Sequence, residues 1–286
     1  MESIVVGVNG TAESLGALRW AQELAGLIGA RIEAVSAWTL PPAAGSDAGA
    51  AADMTFLYEE LGDIARENLA KTLADVPSEG IDRSSYTEFG VSISGGLIHA
   101  AAESDLLVLG ARRHGGFERF LGTTALQCVQ YATCPVIVVP DTAQPLTDTI
   151  AVAFDGSESS HHALRWAADV ASNRDLVLRV ISVWEGSDFP GGPLFADKTV
   201  DTGDRAIEGL RAAVAAVVPD LQANVEYVAV EAKNKVVAHL LDSAEGASLL
   251  VLGSRGRGGF RGLLLGSVSQ RCLEATTIPV AVIRDS

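Results

Sequence analysis

The chain has 286 residues, 48% of them hydrophobic and 20% charged, with a formal net charge of −15. That length suits one large domain or two ordinary ones, and the composition is too apolar for a disordered chain. So acidic a surface repels phosphate backbones and anionic lipids, which argues against nucleic-acid and membrane-surface partners while leaving room for a small ligand in a local site.

The opening residues, MESIVVGVNG, show neither the basic region nor the long apolar run of a secretory signal. No apolar run approaches the roughly 18 residues of a membrane span. Three cysteines, Cys128, Cys134 and Cys272, cannot all pair and form no CxxC. Reduced thiols in a cytoplasmic protein are the expectation.

In chain order, residues 3–21 read SIVVGVNGTAESLGALRWA, a strand leading into a helix. LLVLGARRHGGF follows at 106–117 and CPVIVV at 134–139. The polar stretch PDTAQPLTD, 140–148, is the expected seam, because the chain then repeats itself. TIAVAFDGSESSHHALRWA at 149–167 matches the first stretch, LLVLGSRGRGGF at 249–260 matches the second and IPVAVI at 278–283 the third. So long a repeat indicates a duplicated domain rather than a solenoid.

Within the second half, IAVAFD is a short buried strand. SESSHHALRWAADVAS is a helix with Ala163, Leu164, Ala167 and Val170 at helical spacing. LVLRVISVW is the next strand, followed by a Gly- and Pro-rich connector at 185–198 and a helix through 200–217. NVEYVAV, KVVAHLLDSAE and SLLVLGS then read as strand, helix and strand. A glycine loop, a helix near 266–276 and the strand PVAVI complete the half. The first half repeats this order. Continuous Val/Ile/Leu strands alternating with helices imply a parallel sheet covered on both faces. The expected fold is therefore α/β: two tandem doubly wound domains, 1–144 and 145–286, each with a parallel five-stranded sheet.

Ligands of such sheets bind outside the carboxyl ends of the strands, where IAVAFDGS and LLVLGSRG both end. The glycine loop stands there, with Gly253, two residues, Gly256, nine residues, then Gly266 and Ser267. Gly253 is expected to let a ligand lie against the backbone. Gly256 is expected to take a positive-φ turn, which costs another residue roughly 1–2 kcal/mol. Gly266 and Ser267 open a helix whose N–H groups favour an anion. Ser267 and Ser269 add hydroxyls, and Arg255, Arg257 and Arg261 add positive charge. A purely structural strand-to-helix turn accounts for the glycines equally well. No GxxxxGK[ST] occurs, and no G-x-G-x-x-G follows the first strand of either half.

Taken with the duplication and the strand order, these residues resemble the universal stress protein family in its tandem form, across essentially the whole chain. The family's G-2x-G-9x-G-(S/T) nucleotide motif is matched by Gly253, Gly256, Gly266 and Ser267, and its strand-end aspartate by Asp155. The resemblance implies an ATP site in the second half. Asp155 would contact the adenosine part, Val183 would offer its backbone to adenine, and Gly253, Gly256, Gly266, Ser267 and Ser269 would complete the site. Any magnesium would arrive with ATP, through its phosphates and Asp155 or Ser267. The resemblance also implies that the last strands pair across a two-fold, within the chain and again in a homodimer. The expected role is regulatory binding rather than catalysis, with slow ATP hydrolysis, a cyclic AMP ligand and a nucleotide-free scaffold as the rival readings.

The first half departs from the motif. Asn9 replaces the aspartate, Arg113 stands at the second glycine, and the span from Gly116 to Gly122 is one residue shorter than its counterpart. The corresponding site, Asn9, Ala37, Gly110, Gly122 and Thr123, is expected to bind nucleotide weakly or not at all. Elsewhere, Ser157 reads as a helix cap rather than a nucleophile. Trp20 and Trp166 read as packing anchors. His161, His162 and the scattered histidines form no metal motif. The connectors 39–52 and 185–198 read as flexible links, with a lid over the site as the alternative.

Overall fold

The computed structural model describes residues 1–41, 51–111, 121–185, 202–232, 234–258 and 264–284. They form two compact units, the first ending at Asp141 and the second beginning at Thr142. In the first unit the chain runs β1 (Ser3–Gly7), α1 (Ala12–Ile28), β2 (Arg31–Trp38), α2 (Ala51–Ala74), β3 (Arg83–Phe89), α3 (Ile93–Ala100), β4 (Leu106–Ala111), α4 (Thr123–Tyr131) and β5 (Val136–Pro140). In the second it runs β6 (Thr149–Ala153), α5 (Glu158–Ser172), β7 (Val177–Trp184), α6 (Thr202–Val217), β8 (Asn224–Glu231), α7 (Val236–Ser243), β9 (Leu249–Gly253), α8 (Ser267–Ala275) and β10 (Val280–Ile283).

The elements agree with the sequence expectation in kind and order. Residues 200 and 201 lie outside the described residues, as does most of both connectors. The loop departures at Arg113 and Gly116 also fall there.

Each unit carries five parallel strands. The order is β3-β2-β1-β4-β5 in the first and β8-β7-β6-β9-β10 in the second. The register repeats as well, with Ile4 opposite Leu106 and Ile150 opposite Leu249. Every residue of β1 is buried, and so are the first four of β6, so neither face of either central strand meets water. Ile4, Val5 and Val6 are wholly buried, as are Ala151, Val152 and Leu250. Burying one Val, Leu or Ile side chain contributes roughly 1.5–3 kcal/mol, which is why alternating polarity is absent from these strands.

The helices cover the sheets through the spacing seen in sequence. On α5, Ala163, Leu164 and Ala167 are fully buried and Val170 nearly so. Ser157 caps α5 by accepting from the Ser160 N–H, and Thr11 caps α1 by accepting from that of Ser14. Gly29, at φ 71°, ends α1 in the left-handed conformation that glycine adopts most easily. Trp20 is buried in α1, whereas Trp166 is half-buried in α5. All three cysteines are buried free thiols.

The strand order fixes where a ligand has space. In each unit the chain leaves the central strand in one direction toward β2 and β3, or β7 and β8. It then returns on the other side through β4 or β9. That reversal opens a crevice at the carboxyl ends of β1 and β4, and likewise of β6 and β9. No helix among the described residues is long and apolar enough to cross a membrane.

Candidate functional site

A cavity of about 570 Å³ fills the crevice of the second unit. Asp155, Val183, Gly253, Gly256, Gly266, Ser267 and Ser269, the seven residues expected to contact nucleotide in that half, line it, while Arg261 lies outside the described residues. Its size lies within the ~300–1,000 Å³ typical of small-molecule sites.

The turn after β6 sets one wall. Phe154 N–H closes on the Ile181 carbonyl at 2.8 Å, and Gly156, at φ 76°, turns the chain into α5. Asp155 lies between them. Its Oδ1 accepts from the Ser157 N–H at 2.9 Å and from the Ser157 hydroxyl at 2.6 Å. Its Oδ2 accepts from the Arg257 N–H at 3.1 Å, so the carboxylate bridges the two loops of the site.

The glycines serve purposes different from those expected. Gly256 does not adopt positive φ. Glycine is needed there because a Cβ would stand 2.8 Å from Asp155 Oδ2. The space beside Gly253 is not left for a ligand either, since a Cβ would stand 2.6 Å from the Ser159 carbonyl carbon. Gly253 lets the first turn of α5 pack on the end of β9. The positive-φ glycine is instead Gly156, with Gly10 at φ 79° as its partner in the first unit.

Gly266 is the N-cap of α8, and Ser267 is the first residue of the helix. No side chain caps that end, although side chains cap α1, α3 and α5. The first residues of α8, Ser267, Val268 and Ser269, line the cavity at the positive end of the helix dipole. Ser269 is less available than its residue type suggests, because its hydroxyl donates to the Gly253 carbonyl at 2.7 Å.

Arg255 and Arg257 also line the cavity and bring positive charge to an acidic protein. His161 stacks on the lining residue Phe154 at 5.6 Å between ring centroids. Burial holds the His161 imidazole below its usual titration range. Arg165 pushes in the same direction, and Asp155 opposes both. Phe154, Ser160, Trp184, Glu185 and Leu240 also line the cavity and were not singled out from sequence. The i, i+4 pair Val236 and Leu240, at the start of α7, was the available sign that this helix faces the site.

The first unit has a smaller cavity of about 300 Å³ in the same crevice. Asn9, Ala37, Gly110 and Gly122 line it, whereas Thr123 does not; Thr124 faces it instead. The helix α3 lies close on β2, so that a Cβ at Gly96 would stand 3.2 Å from the Ala37 Cβ. The Leu97 and Leu109 side chains crowd the floor beside Gly7. Asn9 Oδ1 accepts from the Thr11 N–H at 3.2 Å and from its hydroxyl at 2.9 Å, reproducing one half of the Asp155 arrangement. Among the described residues, no group of three His, Cys, Asp or Glu side chains is placed to hold a metal.

Comparison with known proteins agrees with this fold. The model of the universal stress protein family matches residues 1–140 and again 147–284. A universal stress protein of Mycolicibacterium smegmatis is 34% identical over 295 residues, covering 98% of this chain and 96% of its own. One from Mycobacterium tuberculosis is 27% identical over 305 residues, covering 98% and 94%. Among solved structures, a universal stress protein from Archaeoglobus fulgidus superposes with a TM-score of 0.75 at 19% identity, covering 99% of this chain and 98% of that one. At that identity the likeness concerns the fold.

Proposed function

The chain belongs to the universal stress protein family, and we propose that its second unit binds ATP as a regulatory ligand. The observation that carries this reading is the convergence of Asp155, Val183, the three motif glycines, Ser267 and Ser269 on one cavity of about 570 Å³ that also holds an uncapped helix N-terminus. Adenine lies toward the backbone of Val183, ribose toward Asp155, and the phosphates along the turn from Gly253 to the first N–H groups of α8. Arg255 and Arg257 offset phosphate charge that the rest of the protein would repel. With its Oδ1 and Oδ2 both engaged, Asp155 is poorly placed to hold magnesium, so any magnesium is carried by the phosphates beside Ser267.

Binding is favoured over hydrolysis for the same reason. A general base must reach a water at the γ-phosphate. Asp155 accepts three hydrogen bonds from the protein, and Glu185, the other carboxylate lining the cavity, follows β7 two residues after Val183, on the adenine side. Nucleotide then acts by favouring one conformation over another, which requires unequal affinity for the two. The proposal takes the protein to work in the cytoplasm as a homodimer. A strict monomer on gel filtration at micromolar concentration overturns that last point.

The test is to denature purified protein, identify any released nucleotide by mass spectrometry, and titrate nucleotide-free protein with ATP and cyclic AMP. ATP released, or bound more tightly than cyclic AMP, supports the proposal. Tighter cyclic AMP binding replaces the ligand, and no binding of either favours a scaffold.

A further inference from the structure

The turn that follows β9 is glycine-rich and has little intrinsic reason to hold one shape. Gly253, Gly256 and Gly258 fall within six residues, and glycine loses the most conformational freedom on ordering. Side chains from another part of the chain nevertheless tie it down, the Ser157 hydroxyl weakly, at 3.4 Å from the Arg255 carbonyl, and two others through backbone N–H groups. The Arg255 N–H donates to Ser159 Oγ at 3.2 Å, and the Arg257 N–H donates to Asp155 Oδ2 at 3.1 Å. Ser159 is 3% exposed, and its Oγ lies 3.4 Å from that of Ser254, which is itself buried. The two ties flank Gly256, whose missing Cβ admits the carboxylate.

In the first unit the corresponding turn lies outside the described residues, but the residue types at the clasp positions differ. By the sequence repeat, Asn9 stands for Asp155, Glu13 for Ser159 and Ala111 for Ser254. Asn9 Oδ1 is engaged by Thr11, as Asp155 Oδ1 is by Ser157. What Asn9 presents on its other side is an NH₂ group, a donor that cannot receive a backbone N–H. The helix approach itself is common to both units, because Gly110 packs on the Glu13 backbone as Gly253 packs on that of Ser159. The side chains at the clasp positions are what differ, Asn9 for Asp155 and Glu13 for Ser159.

We infer that Asp155 and Ser159 form a clasp that pre-sets the Gly253–Gly258 turn for the triphosphate end of the nucleotide, with Ser159 acting as a positioning residue. The clasp stands on the geometry alone; its consequence for affinity rests on the ATP reading above.

The experiment is amide hydrogen exchange by NMR on nucleotide-free wild type, Ser159→Ala and Asp155→Asn, followed by titration of each with ATP and adenosine. Losing one hydrogen bond of ordinary net strength should speed exchange about 3–10-fold, at Arg255 in the first variant and at Arg257 in the second. Amides within α8 should keep their rates. Ser159→Ala should weaken ATP by the same factor and leave adenosine within about two-fold, because the clasp acts on the phosphate side. Unchanged exchange at Arg255 and Arg257 overturns the clasp, and equal losses for ATP and adenosine overturn its role in positioning the turn. Faster exchange in a protein that binds neither ligand upholds the clasp and removes the ATP reading.

Discussion

Asp155 Oδ2 occupies the space that a β-carbon at Gly256 would need, at a separation of 2.8 Å. Real Cβ atoms do not approach an oxygen so closely, so the glycine and the carboxylate depend on each other. Gly256→Ala should push the turn off Asp155, lengthen the Arg257 N–H contact and weaken ATP binding about ten-fold, equivalent to roughly 1.4 kcal/mol. Residue 256 is exposed, so the melting temperature should hardly move. Calorimetric titration beside a melting curve separates the two effects.

Gly253 and Gly110 predict the opposite pattern. A Cβ at either would stand 2.6 Å from a backbone carbonyl carbon of the first helix of its unit, that of Ser159 or Glu13. Neither helix can move without disturbing the buried contacts behind it. Alanine at either position should destabilise by roughly 1–3 kcal/mol. That corresponds to about 2–10 °C in melting temperature for a unit of this size. Gly122→Ala, with nothing within 4 Å of the added carbon, should melt like wild type.

His161 makes the fold sensitive to mild acid. Burial, then Arg165, holds its imidazole below the ordinary value of 6.5 in the folded chain. Between the folded and unfolded values the unfolded chain binds more protons, so this contribution to stability rises with pH. It is lost as pH falls below about 6.5 toward the folded value. NMR titration should give His161 a midpoint below the unfolded one, and His161→Gln should flatten that part of the stability profile.

The thiols should be inert. Burial pushes Cys128 and Cys272 up to about 12, and Cys134 up to about 11. None is a thiolate at neutral pH, and the thiolate is the reactive form. Aromatic disulfide reagents should label the native protein slowly and all three cysteines at once after denaturation. Fast labelling of the native protein would place one of them at the surface.

The alternation of apolar strands and helices was readable because burial on both faces of a parallel sheet leaves a plain mark on composition. The duplication made it readable twice. The gathering of Asp155, Val183 and the motif glycines at one crevice was also legible, through the resemblance and the rule that ligands bind at the carboxyl ends of strands. What the individual glycines do was not. A glycine can serve left-handed backbone or close approach, and only the neighbour decides: Asp155 for Gly256, Ser159 for Gly253. The dipeptides Asn9-Gly10 and Asp155-Gly156 were the turn signals that pointed to the real positive-φ positions. Ser159 gave no signal, because a buried serine near a helix start looks like any other until its N–H partner across the site is known.

The central claim, one nucleotide site in the second unit, is tested most directly by calorimetric titration of ATP into nucleotide-free wild type, Gly266→Ala and Gly122→Ala. An added Cβ at Gly266 would stand 3.3 Å from the Arg255 Cα, whereas at Gly122 it would meet nothing within 4 Å. The account predicts one ATP per chain, bound more weakly in Gly266→Ala and unchanged in Gly122→Ala. Two equivalent sites per chain, or a single site that Gly122→Ala weakens and Gly266→Ala does not, would contradict it.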